Sequence, residues 1–429
     1  MVVVAIAIFV VTYALIATER VHRVAAALGG AAALVLVGIV DAESAFFSAE
    51  TGVDWNVIFL LFGMMIIVSI FKQTGVFEYL AIWAARRSGG RPYRLMVLLV
   101  VITAVASALL DNVTTVLLVA PVTFAVCARL GLPAVPYLTA QVFASNIGGT
   151  ATLIGDPPNI IIASRAGLSF NDFLIHLAPI VVVLLVAFLG LCRIMFRGTF
   201  SGASPRAAEI TDLRASEAIT DGRLLARCLI VLGAVLVGFV LHSALHLQPS
   251  MVAMLGAGAM VLVSRVSASR YLEEVEWATL VFFMGLFVLV GGLVQVGVIG
   301  SLGQAATAAV GDRYLLAATG LLFGSAVLGA FVDNIPYTAA MAPIVQDLVA
   351  AAPDPALGQP LWWAFALGAD LGGNTTAVAA GANVVVIGIA ARQGQPISFW
   401  RFTKHGLIVT SITLALAWAY VWLRYYAFG

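Results

Sequence analysis

The sequence predicts an all-α polytopic membrane protein. It reads as two inverted-topology repeats, each with a re-entrant hairpin and a discontinuous transmembrane helix, giving about ten full crossings. Three observations carry this. Of 429 residues, 62% are hydrophobic and 10% charged, with a mean hydropathy of +1.06. A soluble domain has roughly 25% charged residues, so this chain has too few to cover a water-facing surface. Apolar runs of about 17–25 residues, enough to cross a bilayer as a helix, recur along the whole length. Finally, polar motifs placed inside those runs occur twice, in the same order.

The opening MVVVAIAIFVVTYALIATERVHR sets Arg20 and Arg23 after its apolar part. A secretory signal has its positive charges first, so Val2 to Ala17 is expected to be a retained helix. Further apolar segments fall near 24–40, 55–72, 94–111, 112–130, 136–154, 159–165, 177–196, 224–245, 250–264, 277–297, 314–332, 334–351, 361–379, 383–391 and 406–427. Val76 to Arg91 reads as an amphipathic helix on the membrane surface. The polar stretch Arg197 to Gly222 divides the chain. The expected organisation is a first repeat over 1–197, a cytoplasmic linker loop over 198–223 and a second repeat over 224–429.

The duplication rests on three pairs. DWNVIFLLFGMM from Asp54 matches EWATLVFFMGLF from Glu276, and DNVTTVLLVAPV from Asp111 matches DNIPYTAAMAPI from Asp333, both offset by 222 positions (276 − 54 and 333 − 111). NIGGTATLIGDPPN and DLGGNTTAVAAGAN align Gly148–Gly149 with Gly372–Gly373 and Asn159 with Asn383, an offset of 224 (372 − 148). Matched broken segments in two halves are the sequence sign of a secondary transporter's central site.

Charge orients the chain. If 94–130 and 314–351 each enter and leave on one side and each broken segment crosses once, every half crosses five times, and the odd count inverts the second half. Of the 22 Lys+Arg, three (Arg165, Arg313 and Arg424) then share the first residue's side and 19 (22 − 3) lie opposite, Arg206 and Arg214 among them. The richer face is expected to be cytoplasmic, with both termini outside, in the cell inner membrane. A hairpin and two full spans give the same count. The bend chemistry favours the hairpin: Asp111 and Asn112 are good N-cap residues, and Asn334 followed by Ile335–Pro336 fits a first helical turn.

Of 21 Asp+Glu, all but Asp111, Asp156, Asp333 and Asp370 sit in loops or at segment ends. A carboxylate in hydrocarbon costs from ~3 to above 10 kcal/mol. Each of the four lies where a helix is disfavoured: DN at a bend, GDPPN, DNIP or ADLGGN. Glycine pairs and prolines there free backbone groups, which survive at membrane depth only when buried in protein or lining a wet cavity. Helix N-termini after the breaks attract anions, while free carbonyls with Asp and Asn side chains hold cations or protons. Thr114, Thr115, Thr150, Thr152, Thr375 and Thr376 join this set, although threonine hydroxyls also bond to their own helix. The halves are chemically unequal, with Asn146 opposite Asp370 and Asp156 opposite Ala380.

Other chemistry finds little support. Lys72 and Lys404 follow Phe71 and Thr403, so neither belongs to a GxxxxGK[ST] phosphate loop. Energy is expected from an ion gradient or a separate ATPase subunit. Cys127, Cys192 and Cys228 form no CxxC pair, and the five histidines lie near segment ends. No nucleophile–base pair or metal-ligand spacing supports an enzyme, and no metal, cofactor or nucleic acid is expected.

At SALLDNVTTVLLVAPV, FASNIGGTATLIGDPPNIIIAS and FVDNIPYTAAMAPIV the chain resembles the ion transporter superfamily. That group holds arsenite permeases, the melanosomal P protein, sodium/proton antiporters, and citrate and dicarboxylate carriers. The likeness covers nearly the whole chain and is nearest the P-protein and arsenite-permease branch. It implies two hairpins opening from opposite sides, with tips at Asp111–Asn112 and Asp333–Asn334. These would meet breaks at Gly148–Gly149, Asn159, Gly372–Gly373, Asn374 and Asn383. It also implies a homodimer with an elevator-like motion. Dicarboxylate carriers of this kind tend to have a Ser-Asn-Thr tip; acidic tips disfavour a dianion, since like charges repel.

The leading expectation is secondary active transport of a small inorganic solute, with arsenite or antimonite efflux driven by proton antiport. Arsenous acid is uncharged at neutral pH, so Asn112, Thr114, Asn374 and Thr375 could hold it without thiols, while Asp111 and Asp333 carry the proton. A sodium/proton antiporter, an anion or carboxylate carrier, and a gated channel are the alternatives.

Overall fold

The computed structural model describes residues 1–18, 20–200 and 215–427, and among these it is all helix and connecting turn. In the first half the helices are α1 (Val2–Ala17), α2 (Arg23–Leu36), α3 (Ala42–Phe46), α4 (Trp55–Lys72), α5 (Val76–Ser88), α6 (Pro92–Leu109), α7 (Asn112–Leu130), α8 (Ala134–Gly149), α9 (Pro157–Ala166), α10 (Phe170–His176) and α11 (Ala178–Met195). The second half holds α12 (Gly222–Leu241), α13 (Pro249–Ser264), α14 (Ala268–Leu272), α15 (Trp277–Gln295), α16 (Val298–Val310), α17 (Tyr314–Gly329), α18 (Asn334–Ala350), α19 (Pro355–Gly372), α20 (Gly381–Arg392) and α21 (Phe399–Tyr425).

Among the described residues, seven helices (α4, α6, α7, α11, α12, α15 and α21) are long and apolar enough to span a bilayer. Their burial separates their roles. In α4 and α15, 72% of the apolar window is buried inside the protein, against 22% in α12. The first two are central struts; α12 presents its apolar side outward, where lipid replaces protein as the partner.

Packing repeats under exchange of the halves. α4 packs on α13 as α15 packs on α2; α6 on α8 as α17 on α19; α7 on α8 as α18 on α19. The crossed contacts exchange too, since α9 packs on α18 and α20 on α7. α1, α2, α4, α12, α13 and α15 make a scaffold, and the hairpins with the broken helices make a second body against it.

The hairpin geometry follows from side chains along α6 and α8. Tyr137 Oη donates to Pro92 O at 3.1 Å, Gln141 Nε2 to Thr103 Oγ1 at 3.2 Å and Ser107 Oγ to Ser145 O at 2.7 Å. Both helices therefore start on one side and run in parallel, so the α6–α7 bend sits level with the break between α8 and α9. Thr152 Oγ1 donates to Ala108 O at 2.5 Å, tying break to tip, and its counterpart Thr376 Oγ1 donates to Ala330 O at 2.7 Å. Close approach needs glycine: a Cβ on Gly148 would strike Ala104 O, and one on Gly372 would meet Ala326 Cα at 2.6 Å.

Some expectations shift. α5, read as a surface helix, buries Val76, Phe77, Ala81 and Ala84 and packs on α6 and α7; its counterpart α16 was not anticipated. α19 and α21 begin at Pro355 and Phe399, earlier than the apolar pattern, because Pro360 lies within the first turns of α19 and Arg401, Lys404 and His405 fall on the first turns of α21. Arg206, Arg214 and most of the expected linker lie outside the described residues. The end of that linker is placed by Thr220, whose N and Oγ1 donate to Thr74 O and Gln73 O.

Candidate functional site

Two N-caps build the tips. Asp111 Oδ1 accepts the Thr114 amide at 2.8 Å at the start of α7, and Asp333 Oδ1 accepts the Ile335 amide at 3.1 Å at the start of α18. Each cap satisfies one amide that a helix start leaves unpaired. The caps leave the next residues, Asn112 and Asn334, pointing inward; both are buried.

Asn112 Nδ2 donates to Asp156 Oδ2 at 2.8 Å and to Asn146 Oδ1 at 3.2 Å, so the first tip meets the first break directly. Asn146 Nδ2 in turn donates to Asn374 Oδ1 at 2.9 Å and Asn383 Oδ1 at 3.2 Å, both in the second break. Asn383 Nδ2 donates to Gly373 O and Thr376 O at 2.7 and 2.8 Å; Asn159 Nδ2 donates to Gly149 O and Thr152 O at 3.4 and 3.1 Å. Each asparagine thus closes its own break by bonding carbonyls that no helix can satisfy. The second tip joins through Asn334 N to Ala379 O at 3.2 Å.

Asp156 lies within electrostatic range of Asp370, Asp333 and Asp111, so the four intramembrane acids surround one place. No lysine or arginine appears among the buried residues described. Several buried polar atoms there lack a hydrogen-bond partner: Asn112 Oδ1, Asp156 Oδ1, Asn159 Oδ1, Asn334 Nδ2, Asn374 Nδ2 and both carboxyl oxygens of Asp370. An orphaned buried polar group costs about 1–3 kcal/mol, more when charged. Most of these atoms are acceptors, a set that suits a cation, a proton or a hydroxyl-bearing solute.

The threonines divide. Thr150 Oγ1 bonds back to Asn146 O at 2.9 Å while facing Asp370. Thr115 Oγ1 is buried without a partner. Thr375 Oγ1 turns to Thr410 Oγ1 of α21 at 3.2 Å, away from the centre. Gly148, Gly149, Gly372 and Gly373 serve close backbone packing at the breaks, where a Cβ would strike neighbouring atoms.

Residues not anticipated flank the tips. Arg23 Nη1 stands 3.7 Å from Asp333 Oδ2, and its Nη2 donates to Thr279 Oγ1 at 3.5 Å. Thr279 in turn bonds to Glu276, which lies within electrostatic range of Asp111. Tyr13 Oη donates to Pro336 O at 2.8 Å, again scaffold to hairpin. In sequence Arg23 registered only as a loop charge, and no spacing ties it to Asp333. Ser145 donates to Asn112 O and was visible as the serine in FASNIGG.

Two cavities lie at exchanged positions of the two halves. One, of about 360 Å³, is lined by His22, Arg23, Val113, Asp333, Gly381 and Val384. The other, of about 490 Å³, lies between α4, α9 and the α12–α13 turn, beside Asn56, Leu153, Ser164, His242 and Ser250. Of the expected site residues only Asp333 lines either cavity.

Comparison with known proteins gives the family. The family model described as citrate transporter matches residues 13–368. The chain belongs to the citrate transporter family. As a member of that family it is a multi-pass membrane transporter. It is 56% identical to the 46 kDa membrane protein of Mycobacterium leprae over 99% of both chains. It is 36% identical to the human P protein, over 97% of this chain and 59% of that protein's length. Among solved structures, the Alcanivorax borkumensis YdaH transporter shares its fold, with a TM-score of 0.57, 15% identity, and coverage of 85% of this chain and 84% of that one. These relatives bear out the likeness to the ion transporter superfamily.

Proposed function

We propose that this family member is a secondary active transporter that exports an uncharged inorganic acid, with arsenous acid or its antimony counterpart as the preferred solute, in exchange for protons. The supporting observation is the site's composition: four carboxylates and a ring of amides, with no basic side chain among its buried residues. Such a site repels citrate-like anions. It offers hydrogen bonds to a neutral polyhydroxyl solute from Asn112, Asn334 and Asn374.

An elevator-type motion fits the way the two bodies touch. The scaffold meets the hairpins and broken helices through a few polar contacts, including Tyr13 to Pro336, Arg23 to Asp333 and Asp54 Oδ2 to Ser164 Oγ at 2.5 Å. With α1–α2 turning on the cytoplasmic side, as the charge distribution indicates, the Asp333 cavity opens inward and the Ser164 cavity outward, in the inner membrane. A sodium/proton antiporter is the second reading, favoured by the unpaired acceptors at Asp156 and Asp370.

The test is uptake into inside-out vesicles under a fixed pH gradient, with arsenite, sodium and citrate side by side. Accumulation of arsenite that uncouplers abolish supports the proposal. A sodium pulse that collapses the pH gradient without arsenite uptake selects the antiporter. Citrate accumulation overturns both.

A further inference from the structure

The two halves cross-bond at their breaks through triads related by the 224-residue offset. In one triad Asn146 faces Asn374 and Asn383; in the other Asp370 faces Thr150 and Asn159. The first is complete, because the Asn146 amide donates both its hydrogens and the two asparagine oxygens accept them. The second is not closed in this way. Asn159 has already committed Nδ2 to its own break, its Oδ1 has no partner, and neither oxygen of the fully buried Asp370 is bonded.

A carboxylic acid has the shape of a carboxamide. One proton on Asp370 supplies the O–H that stands where the twin has N–H, with Asn159 Oδ1 as the acceptor matching Asn383 Oδ1. Without it, both Asp370 oxygens and Asn159 Oδ1 are left buried without hydrogen bonds, an arrangement that polar groups avoid. We propose that Asp370 is the residue that carries the coupling proton, with Asn159 and Thr150 positioning it. The carboxylate takes a proton from water on one face of the membrane, forming an O–H bond, and gives it back to water on the other.

The tip carboxylates are less suited, because Asp111 and Asp333 already accept backbone amides as caps and Asp333 meets Arg23. The ionisable group facing Asp370 from a neighbouring element is Asp156, ahead of α9. Of the helices packed on α19, α18 contributes Tyr337, bonded to Ser325, while α8, α9, α17 and α21 carry their ionisable side chains toward their ends.

This inference deepens the proton-exchange reading above, so its test needs a readout independent of any solute. The purified chain in lipid is titrated by infrared difference spectroscopy, following the C=O stretch of a protonated carboxylic acid. Wild type is expected to show such absorption with a component from Asp370 that disappears as pH rises. Asp370→Asn lacks it, and Asp156→Asn keeps it. Thr150→Val moves its frequency, which serves if Asp370→Asn does not fold. An unchanged set of titrating bands in Asp370→Asn, or no shift of any component in Thr150→Val, overturns the assignment. In vesicles, Asp370→Asn is expected to lose gradient-driven accumulation; retained accumulation also overturns the assignment. If the band behaves as expected but wild type moves no arsenite, the solute reading fails and this one stands.

Discussion

Arg23 of the scaffold lies 3.7 Å from Asp333 at the second hairpin tip, with the two side chains 37% and 18% exposed. At this exposure the pair is screened by solvent, and its share of global stability is at most about 1 kcal/mol. It nevertheless joins the two bodies that the proposed elevator motion would separate. Arg23→Gln is therefore expected to shift the thermal midpoint little while changing the turnover rate up to roughly fivefold, the equivalent of about 1 kcal/mol between two states. Melting curves and initial transport rates on the same preparations check this. A collapse in stability, or an unchanged rate, contradicts the tether.

A second expectation concerns the glycines that let the hairpin arms approach the broken helices. Gly148→Ala drives a methyl group into the Ala104 carbonyl, and Gly372→Ala does the same against Ala326. Neither neighbour is a flexible side chain, so the helices must part. Overpacking of this kind costs about 1–3 kcal/mol. Gly190→Ala in α11 is the control, because nothing lies within 4 Å of its added Cβ. Thermal midpoints in detergent should fall for the first two variants and hold for the third.

How far the sequence anticipates this architecture depends on which interactions repeat. Asp111–Asn112, Asp333–Asn334, Gly148, Gly372, Asn159 and Asn383 were legible because the duplication prints each of them twice and each sits where a helix must break. Asp156 and Asp370 were legible as isolated charges in apolar surroundings. Arg23 and Tyr13 were not, because their partners are hundreds of positions away and arise from docking of the scaffold on the tips, which no local spacing encodes. Thr375 shows the converse: its place in the motif marks it as a ligand, yet packing against α21 turns its hydroxyl to Thr410.

The second break offers a sharp test of polar satisfaction. Asn383 donates to Gly373 O and Thr376 O and accepts from Asn146. Asn383→Ala orphans all three groups. Asn383→Asp keeps the size but sets a carboxylate against two carbonyls, which adds repulsion to the lost bonds. Both variants should be destabilised, the first by about 1–3 kcal/mol and the second by more, with transport lost in each. Equal stability of the Asp variant and wild type would mean the amide is not closing the break.

A last expectation concerns α10, which is not one of the candidate membrane spans, where it meets the end of α21. His176 stacks on Trp363 with ring centroids 4.6 Å apart, and its Nδ1 lies 2.6 Å from the Tyr425 hydroxyl. Tyr420 Oη donates to His176 O at 2.7 Å, and Arg424 bonds to Tyr420 and Ile175 O. Burial in this aromatic stack, reinforced by the Arg424 charge and opposed by Asp172, lowers the histidine below its ordinary value of 6.5. The folded state therefore favours the neutral ring. That contribution is present above pH 6.5 and is lost as pH falls through the lowered value, because the unfolded chain then binds the extra proton. Between about pH 8 and pH 5 the thermal midpoint of wild type should drop further than that of His176→Gln, which keeps a hydrogen-bonding side chain but cannot protonate. Trp363 emission gives a second readout, expected to change over the same range only when the histidine is present. Parallel pH profiles for the two proteins would remove His176 as the acid-sensitive link and leave the α10–α21 contact as packing alone.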